Sequence, residues 1–292
     1  MAEFSLANLT VLGCAPPEMT YVAARAGYDF ISPRLIMMGV AGETNQNYDL
    51  STDREMLRQT KRALADTGLK VHDIELARIR DDLDVKKFIP AMEVAAELGA
   101  KHVISSVWTA NETLALERFI ELCELARPLG LTINLEFVTW ANVVNLQQAI
   151  AFLNKAECEN TGILIDILHF SRSRVSPDEL DRVPPKSFKF VHLCDAPAEI
   201  PTTKEGLIHA GRDERFYIGE GGIDVAGIIN RIPEVPYSIE LPHITRAKEL
   251  GYAEHASRCI ESARKYLVEH PRSSKNTARK GRAQNAPSFA TK

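Results

Sequence analysis

Short apolar runs alternate with longer amphipathic segments along most of this chain. Eight of the runs have strand length and are rich in β-branched or aromatic residues. The strands are predicted at Leu9–Leu12, Asp29–Ile31, Lys70–Ile74, His102–Ser105, Thr132–Leu135, Gly162–Ile165, Phe188–Leu193 and Tyr237–Ile239.

The segments between these runs carry apolar residues at helical spacing. The first predicted helix opens at a capping Ser51 or Thr52, and two others end at Gly99 and Gly130. Strand followed by helix, repeated along a chain, indicates parallel strands joined by crossover helices. The helices are predicted at Thr52–Thr67, Val85–Leu98, Glu112–Leu129, Val143–Ala156, Asp224–Arg231 and Ala247–Val268.

A parallel sheet of this kind is either open and doubly wound or closed into a ring. An open sheet usually has a glycine-rich phosphate loop after its first strand, but residues 13–17 (Gly-Cys-Ala-Pro-Pro) fit neither common spacing. Eight strands at a regular pitch favour a single (β/α)8 TIM barrel in the α/β class. The residues just past five successive strands lie 31, 30, 30 and 26 positions apart: Glu75, Ser106, Glu136, Asp166 and His192.

The 292 residues could form two domains, but one barrel of about 250 residues accounts for most of them. We predict the barrel over residues 1–270 and a basic disordered tail over residues 271–292, which has six basic residues, no acidic ones and no apolar period. Two polar connections, Ala41–Ser51 and Asp195–Ile218, are candidate lids over the strand ends.

Charge and composition exclude several function classes. Without the tail, 29 basic residues stand against 39 acidic ones, and such an acidic body argues against a nucleic-acid-binding groove. The sequence contains no run of about 18 apolar residues that could span a membrane. At its N-terminus, no basic segment is followed by an apolar run, so a secretory signal is not expected. Five cysteines without a CxxC pair favour a reducing, cytoplasmic location. The sequence does not decide whether the protein forms homo-oligomers through exposed helices.

Four consecutive predicted strands end in residues that bind metals: Glu136, Asp166, His192 and Glu240. In a barrel these ends share one mouth, where three carboxylates would repel one another unless a cation neutralised them. Any one of them alone could be a helix cap or a surface ion-pair partner. Together, three oxygen ligands and an imidazole predict Mn²⁺ or Mg²⁺, with Co²⁺ or Zn²⁺ as alternatives.

Several short motifs in this order resemble the xylose-isomerase-like barrel superfamily, in its sugar phosphate isomerase/epimerase branch. The resemblance spans residues 9–267 and implies a metal-dependent enzyme that acts next to a carbonyl or hydroxyl of a sugar-like substrate. The motifs are Glu136, Asp166-x-x-His169, His192-x-x-Asp195, the segment 219–224 (Gly-Glu-Gly-Gly-Ile-Asp) and Glu240.

The resemblance also implies roles for individual residues. Glu136 and Glu240 would be the acid/base pair, and His169 would bind a substrate hydroxyl or move a proton, unless it only caps a helix. The chain departs from the ketose epimerases at Asn142 and Ala198, where those enzymes carry Glu and Arg. Arg212 or Arg215 could replace the missing arginine, or either could be a solvated loop charge.

Early strand ends add a polar wall to the predicted mouth. Arg34 could bind a carboxylate or phosphate, although an internal ion pair with Glu75 explains both residues equally well. Trp108 and Trp140 could line the pocket or pack between helices. The predicted substrate-binding residues are Arg34, Glu75, Trp108 and Arg212.

These features predict a metal-dependent sugar (phosphate) isomerase or epimerase that transfers a proton through a metal-stabilised enediolate. The alternative is a metal-dependent dehydratase of a keto-polyol such as inosose or 3-dehydroshikimate, because the same intermediate can expel a β-hydroxyl. An abasic-DNA hydrolase is disfavoured by the acidic body and the few strand-end histidines. A non-catalytic binding protein would be favoured if the four ligands did not converge.

Overall fold

The computed structural model of the chain describes residues 2–37 and 48–272. Within these ranges nine parallel strands lie in the order β3-β2-β1-β9-β8-β7-β6-β5-β4. The strands are β1 (Phe4–Ala7), β2 (Phe30–Ser32), β3 (Lys70–Val71), β4 (Asp73–Ile79), β5 (His102–Val107), β6 (Thr132–Glu136), β7 (Thr161–Asp166), β8 (Phe188–Leu193) and β9 (Tyr237–Ile239).

The strands β3 and β4 are two halves of one predicted strand, separated only by His72. The His72 backbone N–H donates to the Ile31 carbonyl at 2.9 Å, and its carbonyl accepts from the Lys101 N–H at 3.1 Å. The divided strand therefore joins β2 on one side to β5 on the other, and the sheet forms the predicted TIM barrel.

The helices follow the strands and cover the outside of the sheet. Polar caps start several of them: Asp53, for example, accepts from the Met56 N–H at 2.9 Å, so the predicted cap at Ser51 or Thr52 is wrong. The helices are α1 (Pro16–Ala26), α2 (Arg54–Thr67), α3 (Ile89–Glu97), α4 (Glu112–Ala126), α5 (Leu146–Ala156), α6 (Ile167–Arg172), α7 (Lys204–Arg212), α8 (Val225–Ile229) and α9 (Ile244–Glu269).

The first predicted strand, Leu9–Leu12, is also wrong. Residues Asn8–Val11 form a 3-10 turn, and the strand lies before them at β1. The Thr10 hydroxyl donates to the Ile239 carbonyl at 2.7 Å and accepts from the Leu241 N–H at 2.9 Å. These bonds hold the segment across the end of β9, and no strand among the described residues pairs with it.

Three helices were not predicted: α1, α6 and α7. The candidate lid Asp195–Ile218 contains α7, whereas most of the candidate lid Ala41–Ser51 lies outside the described residues. The predicted tail also lies outside them from residue 273 onward. Its second residue, Arg272, packs on the barrel, where its guanidinium donates to the Ile229 and Ile232 carbonyls.

The main apolar core lies between the sheet and the helices, whereas the inside of the barrel is mostly polar. A thin apolar layer divides that interior into a floor, at the strand starts, and a mouth, at the strand ends. In β8, for example, Phe190 of this layer precedes inward-facing His192 by two residues. The layer consists of Leu76, Ile104, Leu164 and Phe190. No described helix combines the length and apolarity needed to cross a membrane.

Candidate metal centre

Four buried side chains from neighbouring strand positions meet at the barrel mouth. Glu136 and Asp166 end β6 and β7, His192 lies near the end of β8, and Glu240 directly follows β9. One potential ligand atom from each residue lies within 4.8 Å of all the others. The structure therefore brings together the four predicted metal ligands.

The His192 imidazole faces all three carboxylates. Its Nδ1 lies 3.7 Å from Glu136 Oε1, 3.7 Å from Asp166 Oδ2 and 3.4 Å from Glu240 Oε2. These distances are too long for hydrogen bonds, and neither ring nitrogen has a hydrogen-bond partner among the described residues. Ligands about 2.1 Å from a tetrahedral ion lie roughly 3.4 Å apart. The donors and their spacing therefore fit a divalent cation.

The sequence around Asp166 explains how a helix cap can also face this centre. Asp166 Oδ1 accepts from the His169 N–H at 2.9 Å and so caps α6. The other oxygen, Oδ2, points to His192. One carboxylate therefore caps α6 with Oδ1 and turns Oδ2 toward the other candidate ligands.

Asp195 organises the glycine-rich segment that follows β8. Its Oδ2 accepts from the Gly219 and Gly221 N–H groups at 3.0 and 2.9 Å. A Cβ at Gly221 would lie 2.3 Å from Asp195 Oδ1, so the close approach requires glycine there. This part of the motif positions a loop and is not part of the four-residue cluster.

Arg215 is the residue whose place the sequence did not settle. Its side chain is 2% exposed, with Nη1 at 2.6 Å from Asp166 Oδ2 and Nη2 at 2.9 Å from Glu240 Oε2. Its Nε donates to the Gly211 carbonyl at 2.8 Å, which fixes the guanidinium plane. Arg215 therefore holds two of the candidate ligands in place, whereas Arg212 lies at the rim.

The carboxylates at the centre differ in proton affinity. Burial, reinforced by the charge of Glu240, raises the pKa of Glu136 well above its usual range. Burial also opposes ionisation of Glu240, but the charges of His192 and Arg215 keep its pKa below the usual range. Unequal carboxylates are the arrangement that lets one group accept a proton while the other donates one.

The pKa of the His192 imidazole is raised, whereas burial alone would lower the pKa of a histidine. Burial opposes its charged form, yet the neighbouring carboxylates, Glu240 first among them, raise its pKa well above the usual value. Positive charge is therefore favoured where the four side chains meet. Binding of a cation there would release protons from the cluster.

A cleft above the cluster gathers the predicted substrate residues. The cleft is narrow, with a volume of about 50 Å³, and it is partly open to solvent. The four predicted substrate-binding residues all line it. The lining consists of Leu9, Arg34, Glu75, Leu76, Arg78, Trp108, Glu136, Val138, Trp140, His169, Gly211, Arg212, Arg215 and Glu240.

His169 lies on one wall of this cleft. Its ring packs edge-on against Trp140 at 4.8 Å, and its Nδ1 lies 3.4 Å from Thr139 Oγ1. Burial lowers the pKa of His169 to about 4. The imidazole is therefore neutral near pH 7, where one ring nitrogen can donate a hydrogen bond and the other can accept one.

Arg34 and Glu75 lie on the opposite wall, and their positions agree with both an internal ion pair and contact with a substrate. The two side chains form a buried ion pair with Arg34 Nη2 3.3 Å from Glu75 Oε2, and both face the cleft. Trp108 and Trp140 also line the cleft. Trp140 packs at the same time against His169 of α6 and Gly211 of α7, so both alternatives hold for this residue. Arg78, which sequence reasoning missed, lies over the Trp108 ring at 4.2 Å.

Comparison with known proteins agrees with this architecture. The family model described as xylose isomerase-like TIM barrel matches residues 21–263. The IolI protein, whose crystal structure holds a zinc atom, has 19% identity and a TM-score of 0.76, with 92% of this chain and 99% of that chain covered.

The curated relatives differ in activity. A 3-dehydroshikimate dehydratase from Pseudomonas aeruginosa is 25% identical over 77% of this chain. An inosose isomerase from Bacillus subtilis is 24% identical over 63% of it. The matches span 35% of the dehydratase and 68% of the isomerase, so this chain corresponds to about a third of the former.

Proposed function

This chain belongs to the xylose isomerase-like TIM barrel family, and we propose that it is a divalent-metal-dependent isomerase or epimerase of a sugar-like polyol. The observation that carries the proposal is the set of three carboxylates 3.4–3.7 Å from one imidazole nitrogen. Hydrogen bonding does not explain this arrangement, because the described residues give that nitrogen no partner.

Glu136, Asp166, His192 and Glu240 would hold the ion. Three oxygen donors and one nitrogen suit Mn²⁺ or Mg²⁺, and Co²⁺ or Zn²⁺ can use the same set. When bound, a divalent cation supplies positive charge that opposes the negative charge developing on substrate oxygens. Arg215 would keep Asp166 and Glu240 oriented while the substrate binds.

Proton transfer is assigned to the two glutamates. Glu240 would take a proton from the carbon next to a carbonyl, and Glu136 would return one. His169 would orient a hydroxyl through its neutral imidazole. Both glutamates and His169 line the same cleft, which supports this assignment.

A lyase is the second candidate function. If the substrate carries a hydroxyl β to the carbonyl, the same proton abstraction leads to loss of water. The dehydratase among the relatives, 25% identical over 238 residues, favours keeping this reaction open. The two reactions differ in the group that leaves, so the product distinguishes them.

The experiment is incubation of the Mn²⁺-loaded protein in D₂O with ketoses, inososes and 3-dehydroshikimate. Deuterium uptake without loss of mass supports isomerisation, and loss of water supports dehydration. If the protein has its full metal content and shows neither deuterium uptake nor loss of water with any substrate of the panel, the proposed function is contradicted.

The assignment of roles has a separate test in two variants. Glu240→Gln removes the basic carboxylate, so solvent-deuterium exchange should fall by about 10² to 10⁴. His169→Gln should raise KM and lower kcat less, since an amide still binds a hydroxyl. Metal content is checked in both. Exchange at the wild-type rate in metal-replete Glu240→Gln would reassign the base.

A further inference from the structure

Glu240 differs from the other three candidate ligands in its place relative to the sheet. Glu136, Asp166 and His192 are residues of β6, β7 and β8, and each is in register with a residue of the next strand. Glu240 instead follows Ile239, the last residue of β9 that is in register with β1 or β8. Strand pairing therefore fixes the backbone of three ligands, and other groups must fix the backbone at Glu240.

The Thr10 hydroxyl takes over the pairing on one side of Glu240. It donates to the Ile239 carbonyl at 2.7 Å and accepts from the Leu241 N–H at 2.9 Å. These are the two groups that one residue of a neighbouring parallel strand would bond. Thr10 is 1% exposed, so both bonds are shielded from water. One side chain thus fixes the two peptide groups that flank Glu240.

His255 of α9 holds the next carbonyl. Its Nε2 lies 3.2 Å from the Leu241 carbonyl oxygen, and its Nδ1 lies 3.1 Å from the Tyr217 hydroxyl. A carbonyl oxygen only accepts, so Nε2 carries the proton and donates, while Nδ1 accepts from the Tyr217 hydroxyl. Burial lowers the pKa of His255 to about 4, and the ring therefore has this single proton near pH 7.

Arg215 completes the set from the side of the cleft. Its Nη1 donates to the Glu240 carbonyl at 3.0 Å, and its Nη2 lies 2.9 Å from Glu240 Oε2. Four backbone groups on or beside Glu240 thus have a buried side-chain partner. They hold the residue whose carboxylate lies 3.4 Å from His192 Nδ1. A displacement of about 1 Å at such a position is enough to impair metal binding or proton transfer.

We propose that Thr10 and His255 are positioning residues for Glu240, which hold the adjoining peptide groups so that its carboxylate faces the ion and the substrate. This inference rests on the proposed function, because it gives the two residues a part in metal binding and proton transfer. Neither is among the residues that line the cleft, so both act through Glu240.

The first test compares two variants of Thr10. Thr10→Val keeps the shape of the side chain but removes the hydroxyl, whereas Thr10→Ser keeps the hydroxyl. Residues that orient a metal ligand typically contribute about 10- to 100-fold to metal affinity or activity. Thr10→Val should therefore weaken Mn²⁺ binding by about that factor, and Thr10→Ser should recover most of the loss. Calorimetric titration with Mn²⁺ measures both, and wild-type affinity in Thr10→Val would overturn the role of Thr10.

Thr20→Val is the matched control for the loss of a buried hydroxyl. Thr20 is fully buried, and its hydroxyl donates to the Pro16 carbonyl at 2.7 Å within α1, outside the sheet. Both valine variants should lower the melting temperature, but only Thr10→Val should weaken Mn²⁺ binding. An equal loss of Mn²⁺ affinity in the two variants would reduce the role of Thr10 to general stability and overturn the inference.

Tyr217→Phe tests His255 without changing the end of β9. The variant keeps the ring on which Arg246 lies but removes the hydroxyl that donates to His255 Nδ1. The imidazole is then no longer held in the form that donates to Leu241, and Mn²⁺ affinity should fall severalfold. This variant carries the test if Thr10→Val does not fold. Wild-type affinity in Tyr217→Phe would overturn the role of His255.

Crystal structures of the wild type and the two Thr10 variants separate this inference from the proposed function. If the wild type binds no Mn²⁺, the proposed function fails. A Glu240 carboxylate that moves away from His192 in Thr10→Val and returns in Thr10→Ser would still support the positioning role. If the wild type binds Mn²⁺ and Glu240 keeps its place and the protein its Mn²⁺ affinity in Thr10→Val, the function stands and the inference is wrong.

Discussion

The mouth and the floor of the barrel both bury charged and polar side chains, but they satisfy them differently. At the floor, one carboxylate oxygen, Asp73 Oδ1, accepts from Ser32 Oγ at 2.5 Å and lies 3.0 Å from His72 Nδ1. The Ser32 hydroxyl also pairs with Ser5 Oγ at 2.7 Å. At the mouth, three carboxylates surround His192 beyond hydrogen-bond distance.

The two regions therefore differ in the number of acidic groups they bury. At the floor, Ser32 and His72 contact one oxygen of a single buried carboxylate, and its other oxygen, Asp73 Oδ2, has no hydrogen-bond partner among the described residues. The mouth has more acidic groups than nearby donors, and Arg215 balances only part of that excess. Phe190 lies between the two regions, 4.8 Å from the His72 ring and 5.8 Å from the His192 ring.

The largest expected effect comes from removing a ligand at the mouth. His192→Ala should abolish tight metal binding, because the ion loses one of its four ligands. Turnover should fall by at least about 10³, because the positive charge of the ion is lost with it. Metal content after dialysis and the melting temperature with and without Mn²⁺ measure this. Since bound metal stabilises the native state, the variant should lose the Mn²⁺-dependent rise in melting temperature. Full metal occupancy would contradict the assignment.

Arg215→Met should destabilise the protein by about 3–5 kcal/mol, since it leaves two buried carboxylates without their cation. Saturating Mn²⁺ should recover part of this loss by supplying positive charge at the same place. Denaturant unfolding with and without Mn²⁺ gives both numbers. The control is Arg231→Met, whose half-exposed ion pair with Asp181 should contribute less than about 1 kcal/mol. Equal effects of the two variants would show that Arg215 does not balance the centre.

The equivalent change at the floor should be smaller and should not involve metal. Asp73→Asn keeps the size of the side chain but changes the partners of Ser32 and His72, at a cost of about 1–3 kcal/mol. Metal content and turnover should stay at the wild-type values. A fall in metal content would show that metal binding at the mouth depends on Asp73 at the floor, and the two regions would then not be independent.

The sequence predicted the positions of the mouth residues more completely than those of the rest of the barrel. Each candidate ligand follows the apolar core of a strand, and that position alone determines which end of the barrel it occupies. Arg212 and Arg215 could not be ranked, because they share one polar segment. Their separation depends on where α7 ends and on the Gly211 carbonyl that accepts from Arg215 Nε.

The first strand shows a second limit of the sequence. Leu9–Leu12 has the stronger β pattern, yet β1 lies at Phe4–Ala7, where Ser5 is in register with Phe30 on one side and Ser238 on the other. Local propensity cannot distinguish these segments, because pairing with two distant strands decides between them.

A further expected effect at the floor concerns His102 and depends on pH. Burial, with a further contribution from His72, lowers its pKa to about 3. The native state keeps His102 neutral while the unfolded chain binds a proton near pH 6.5, so its contribution makes stability fall as the pH drops from about 6.5 toward 3. In His102→Gln this part of the decline should disappear, which denaturant unfolding at pH 7.5, 5.5 and 4.5 measures.

The exposed His209 provides a control of opposite sign. A hydrogen bond with Asp213 raises its pKa, so its contribution is present below about pH 6.5 and is lost as the pH rises through the folded-state value. His209→Gln should therefore steepen the loss of stability in acid, whereas His102→Gln should reduce it. Other acidic groups titrate in the same range, so each variant is compared with the wild type at every pH. Parallel curves for His102→Gln and the wild type would mean that the floor does not hold this imidazole neutral.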